Sequence, residues 1–128
     1  MHLFHVSEDP TISRFEPREP TNSDAGVRGP AVWAVDEARL RNYLLPRDCP
    51  RVTFYARPSR LAAAHDEPLL SGTTASRVIA VESAWLAGIR TTSLFCYELD
   101  AAGFACRRER RVLCLARSGH AAARAAHR

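Results

Sequence analysis

Ala31-Val32-Trp33-Ala34-Val35-Asp36-Glu37-Ala38-Arg39-Leu40-Arg41-Asn42-Tyr43-Leu44-Leu45-Pro46 is the stretch whose reading decides the fold class. Ala31 to Val35 is a short apolar run with an aromatic and two β-branched members, which reads as a strand. Asp36 follows at once and is placed to cap a helix, because its carboxylate can accept from the orphan amides of Glu37 to Arg39. That helix has to end before Pro46. Ala38, Leu40, Tyr43, Leu44 and Leu45 would form its apolar stripe, and Glu37, Arg39, Arg41 and Asn42 its wet face. A strand that passes straight into so short a helix is the local unit to be looked for elsewhere.

Working outward, Leu3-Phe4-His5-Val6 reads as a first strand, ending at Ser7. From Ser7 to Pro30 the chain holds Pro10, Pro17, Pro20, Gly26, Gly29 and Pro30, so it reads as a long loop with at most one extended segment, Arg14 to Glu16. Arg51 to Ala56 alternates like a half-buried strand. Arg57 to Asp66 reads as a short helix begun by Pro58, followed by a loop through Gly72. Val78 to Val81 is a further strand, and Ser83 to Ala87 a short helix stopped at Gly88. Ser93 to Leu99 is another strand, with Phe95 and Tyr97 on one face and Leu94, Cys96 and Glu98 on the other. Val112 to Ala116 reads as a strand, and Ala121 to His127 as an Ala-rich helix with no large apolar residue to dock.

Strands outnumber helices, and the helices do not recur regularly between them as a doubly wound parallel fold requires. The fold class is therefore α+β, with a mainly antiparallel or mixed sheet and a few short helices. The 128 residues suffice for one domain with its own core. The expected division is a single globular domain over residues 1–106 and an Arg/Ala-rich tail over 107–128 that frays.

Charge follows that division. Before residue 107 the chain holds 11 Arg against 13 Asp plus Glu; from Arg107 to Arg128 it holds 7 Arg against 1 Glu. The formal charge of +4 thus belongs to the tail. Lysine is absent, which removes Schiff-base and lysine general-base chemistry. The four cysteines form no C-x-x-C pair and read as buried free thiols. No stretch approaches the ~18 apolar residues of a membrane span, so the chain reads as soluble and cytoplasmic. His2 and His5 fall on opposite sides of a strand with no cysteine pair to complete a site, so no metal is expected. No Walker loop, dinucleotide fingerprint or nucleophile elbow occurs.

The polar residues beside the apolar runs are the candidates for chemistry. His5 lies near the end of the first strand, followed by the polar Ser7 and Glu8, and can orient a ligand or carry a proton; a buried histidine satisfied by one backbone partner is the competing reading. Arg47 and Asp48, between Pro46 and Pro50, would hold an anion on a restricted backbone, or else form an internal pair that pins the loop. Trp33 and Tyr43 are core aromatics or, at the mouth of a cleft, stacking platforms. Glu82, after an apolar strand, is the carboxylate expected to be desolvated and shifted upward, unless it only complements a helix dipole.

Phe4-His5-Val6-Ser7-Glu8-Asp9-Pro10, Phe15-Glu16-Pro17-Arg18, Val32-Trp33-Ala34-Val35-Asp36, Tyr43 to Arg51 and Glu82-Ser83-Ala84-Trp85-Leu86 together resemble a family of small bacterial proteins of unknown function, over residues 1 to about 104. Phe4-His5-Val6-Ser7 is also similar to the aromatic-His-x-Ser/Thr of ADP-ribosyltransferase-like proteins. That similarity implies NAD as ligand, His5 on its ribose, Tyr43 or Trp33 stacked on nicotinamide, and Glu82 (or Glu98) stabilising an oxocarbenium-like centre. The leading expectation is an enzyme or binder of a nucleotide-type ligand in a cleft built from His5, Ser7, Trp33, Tyr43, Arg47, Asp48 and Glu82. The alternative is a noncatalytic module that binds an acidic partner or nucleic acid through its Arg-rich tail; the Arg107 to Arg111 cluster lacks interleaved aromatics, which ranks nucleic acid lower.

Overall fold

The computed structural model describes residues 2–20, 29–55, 70–107, 113–116 and 121–126. It divides into two compact units, Met1–Leu45 with Ser93–Arg128, and Pro46–Thr92. The fold class is α+β, as the sequence predicts. Every strand pairing among the described residues is antiparallel.

The first unit carries a seven-stranded sheet. In chain order its strands are β1 (Leu3–Ser7), β2 (Arg14–Phe15), β3 (Val32–Asp36), β6 (Phe95–Leu99), β7 (Ala105–Arg107), β8 (Leu113–Ala116) and β9 (Ala121–Ala126). They lie in the order β2-β9-β6-β1-β3-β8-β7. Asp36 caps α1 (Glu37–Leu40) by accepting from the Arg39 N–H at 2.9 Å, and a 3-10 turn over Arg41–Tyr43 follows. The helix is shorter than its stripe suggests and buries no residue; Leu44 stays 44% exposed.

The run β2-β9-β6-β1-β3 closes on itself. Three residues beyond β2, Arg18 exchanges both backbone hydrogen bonds with Ala31 (3.1 and 2.9 Å), and Ala31 leads into β3. Strands β1, β2, β3 and β6 of this run supply the core of Leu3, Phe15, Val32, Ala34, Tyr97 and Leu99, with Ile12, Phe95, Ala101 and Phe104 packed against it. Register explains the membership: Leu3 faces Leu99 and His5 faces Tyr97 across β1 and β6, so the alternate residues of both strands turn to one side.

Ala121–Ala126 is a strand, where the sequence reads as helix. The segment lies between β6 and β2, with Tyr97 opposite Ala125 and Phe15 opposite Ala121. Six residues do not nucleate a helix by themselves, and here both edges find ladder partners.

The second unit carries β4 (Val52–Tyr55) paired with β5 (Arg77–Ala80), then a 3-10 turn over Ser83–Trp85 and α2 (Leu86–Thr91). The helix runs through Gly88, the expected stop, and its end is tied by the Thr92 N–H on the Gly88 carbonyl at 2.9 Å. A glycine costs only about 1 kcal/mol in a helix, too little to end one. The helix expected over Arg57 to Asp66 lies outside the described residues. Cys49 is buried and Cys96 half-buried, both free thiols.

Candidate functional site

Backbone groups of alternate residues in a strand point to the same edge. Ala31, Trp33 and Val35 therefore present theirs to one edge of β3. Phe4 of β1 lies opposite Val35, and Arg18 bonds to Ala31. Between these two points β1 and β3 part, since their ladder consists of Leu3 opposite Asp36 and Phe4 opposite Val35. The Trp33 carbonyl lies in the fork, and the His5 imidazole supplies its partner: Nδ1–H donates to it at 2.9 Å. A carbonyl acceptor requires the proton on Nδ1, so in the neutral ring Nε2 is the basic nitrogen.

The His5 ring is further held by Phe15, whose centroid lies 4.6 Å away at 51°. Phe15 in turn meets the edge of Tyr97 at 5.5 Å and 76°. Tyr97 is 1% exposed, and its hydroxyl donates to the Asp9 carbonyl at 2.6 Å and accepts from the Ile12 N–H at 3.2 Å. The chain leaving β1 is itself organised by side chains two residues apart. The Ser7 hydroxyl accepts from the Asp9 N–H at 3.1 Å, and the Asp9 carboxylate accepts from Thr11 Oγ1 at 2.6 Å and from the Thr11 N–H at 2.8 Å. These bonds, the Thr11 hydroxyl first, hold the Asp9 carboxyl below its ordinary value.

The expected constellation draws on both units. His5, Ser7, Trp33 and Tyr43 belong to the first, and Arg47, Asp48 and Glu82 to the second. Within the first, His5 and Trp33 meet through the Trp33 backbone; the pleat sends the two side chains to opposite faces of the sheet. Tyr43 ends the 3-10 turn after α1 and is 38% exposed, so it is not the core residue its place in the stripe suggests.

In the second unit, Pro46 to Cys49 is a β-turn closed by the Cys49 N–H on the Pro46 carbonyl at 3.2 Å. Asp48 has φ 62° and is the one non-glycine residue with positive φ among the described residues. It fills the third position of the turn, where a positive φ is usually met by glycine or asparagine. Arg51 braces the turn from below, donating to the Cys49 carbonyl at 3.0 Å and reaching the Pro46 carbonyl at 3.5 Å. Pro46 and Cys49 are buried while Arg47 and Asp48 stand exposed at the tip. The side chain that braces this loop is Arg51, to which the sequence assigned no role there. An Arg two residues beyond a buried turn residue was the available signal.

Glu82 precedes the Ser83–Trp85 turn, its carbonyl accepting from the Trp85 N–H at 3.0 Å. It is exposed and its side chain makes no cap to that turn, so the desolvation expected for it is absent. Among the described residues no group of three His, Cys, Asp or Glu side chains is arranged to hold a metal ion, and no helix is long and apolar enough to cross a membrane.

These observations define an α+β protein with a closed antiparallel run and a histidine set into a fork between two of its strands. Residues 4–126 match a family of unknown function (DUF6886), and the chain belongs to that family. The match continues beyond Phe104 through the Arg-rich segment, further along the chain than the motifs quoted above. No curated protein and no solved structure matches the chain.

Proposed function

We propose that this chain binds a nucleotide-type ligand, NAD-like in chemistry, at the fork between β1 and β3, with His5 orienting the ribose and Ser7 beside it. The observation that carries the reading is the bond from His5 Nδ1–H to the Trp33 carbonyl. It fixes the tautomer and the ring plane before any ligand arrives, which lowers the entropy lost when the imidazole takes a hydroxyl. The similarity of Phe4-His5-Val6-Ser7 to ADP-ribosyltransferase-like proteins supports the same ligand class. The reading rests on the first unit, and group transfer is not part of it.

Thermal unfolding with NAD, ADP-ribose and AMP tests it. Ligand at about 100 times its Kd adds about 2.7 kcal/mol, which for a chain of this size raises Tm by roughly 10 °C. His5→Asn keeps an N–H for the Trp33 carbonyl but no basic ring nitrogen, so the ligand-induced shift, measured against its own ligand-free Tm, is lost. No shift with any of the three nucleotides, or a full shift in His5→Asn, would overturn the proposal.

A further inference from the structure

The segment from Glu8 to Ser13 leaves the end of β1 and returns at β2, whose Phe15 lies against the His5 ring. Its internal bonds, from Ser7 to Asp9 and from Asp9 to Thr11, join neighbours two residues apart and travel with the segment if it moves. Its tie to the sheet is of a different kind. One side chain, Tyr97, rises from the middle of β6 and holds the segment at two points, the Asp9 carbonyl and the Ile12 N–H, 88 and 85 residues away in sequence. The hydroxyl is both donor and acceptor there, so both bonds are lost together when it lets go.

We infer that the Tyr97 hydroxyl is a latch that keeps the Glu8–Ser13 strap closed, and that release of the latch, together with the two-residue pairing of β2 with β9 that adjoins the strap, lifts Phe15 from the face of His5. The geometry makes this a two-state element. Closed, Ile12 packs on the core and Phe15 bridges the His5 and Tyr97 rings. Open, β2 parts from β9, whose pairing with it is only Arg14 with Ala122 and Phe15 with Ala121, while the strap keeps its own turn and β1, β3 and β6 keep their ladders, because none of those pairings uses a residue of the strap or of β2. A segment with few ties to the body opens at a lower free energy than the strands beneath it. The consequence for ligand access to the fork rests on the nucleotide reading above; the latch does not.

Amide hydrogen exchange on the ligand-free full chain, followed by NMR, tests the latch. In the wild type the Ile12 amide is expected to exchange through an opening of lower free energy than the amides of Phe4, His5 and Glu98, which lie within the β1–β3, β1–β6 and β6–β9 ladders. In Tyr97→Phe, which keeps the ring and removes both bonds, Ile12 exchange is expected to rise about tenfold or more, with faster modification of His5 by diethyl pyrocarbonate. If the wild-type Ile12 amide opens only with the strand amides, or if His5 modification is unchanged in a folded Tyr97→Phe protein, the latch is overturned. The wild-type measurement decides should the variant fail to fold. A strap that opens as expected in a protein that takes no nucleotide leaves the latch standing and removes the nucleotide reading alone.

Discussion

Thr11 sets the charge state of Asp9 at the most local scale. The hydroxyl bond at 2.6 Å is the larger influence and the backbone bond at 2.8 Å the second, and both favour the ionised carboxyl. A carboxyl whose folded pKa lies below its unfolded value stabilises the fold above the unfolded value, and that contribution disappears as pH falls through the folded one. The turn is therefore expected to be fully held at neutral pH and to loosen only as pH drops below the ordinary 3.8. Thr11→Val removes the hydroxyl and leaves the N–H, so the Asp9 carboxyl should titrate closer to 3.8. Carbon-13 shifts of the carboxyl group against pH report this directly, and a midpoint unmoved by the substitution would exclude the hydroxyl as the cause. At this scale the sequence was partly readable. Ser, Asp and Thr two residues apart after a strand announce a turn by their own chemistry, and His5 is visible as a polar residue in an apolar run. The partner of His5, a backbone carbonyl 28 residues away, leaves no mark on the side chains, and neither does the role of Tyr97.

Elements were legible where a side chain marks their end. Asp36 does so for β3 and α1, as read from the sequence, with the Arg39 N–H at 2.9 Å and the Arg39 guanidinium at 2.7 Å. Loss of such a cap costs about 1 kcal/mol, and the ion pair, with Arg39 41% exposed, adds little. Asp36→Ala should thus lower stability by about 1 kcal/mol and Asp36→Asn by less, because the amide oxygen still caps; urea unfolding of the two variants separates the contributions. Equal losses in both would assign the effect to the charge. Elements without such marks were misread. Ala121–Ala126 carries helix-favouring residues, yet a propensity of a few tenths of a kcal/mol per residue yields to ladder bonds on two edges. Ala105–Arg107 gave no strand signal, and it pairs with β8 through backbone groups that any sequence possesses.

The closed run of strands was beyond the reach of sequence patterning for a related reason. Alternation places Leu3, Val32, Tyr97 and Leu99 on inward faces, but which strand lies beside which depends on pairings such as Arg14 with Ala122, whose partners no local pattern connects. The closure makes a distinct claim about energetics, since one core then answers for strands from both ends of the chain. Leu3 lies at its centre, 0% exposed, with Asp36 on one flank and Leu99 on the other. Leu3→Ala should remove about 2–5 kcal/mol, a large part of the roughly 5–15 kcal/mol typical of a domain. Val52→Ala, at a residue 57% exposed on the two-stranded sheet of the other unit, should stay within about 0.5 kcal/mol. Hydrogen exchange resolves where the loss is felt. If the five strands share one core, Leu3→Ala accelerates the amides of β1, β3, β6 and β9 together, whereas acceleration confined to β1 and its immediate neighbours would mean that the run is open and that Phe15 reaches His5 without closing it.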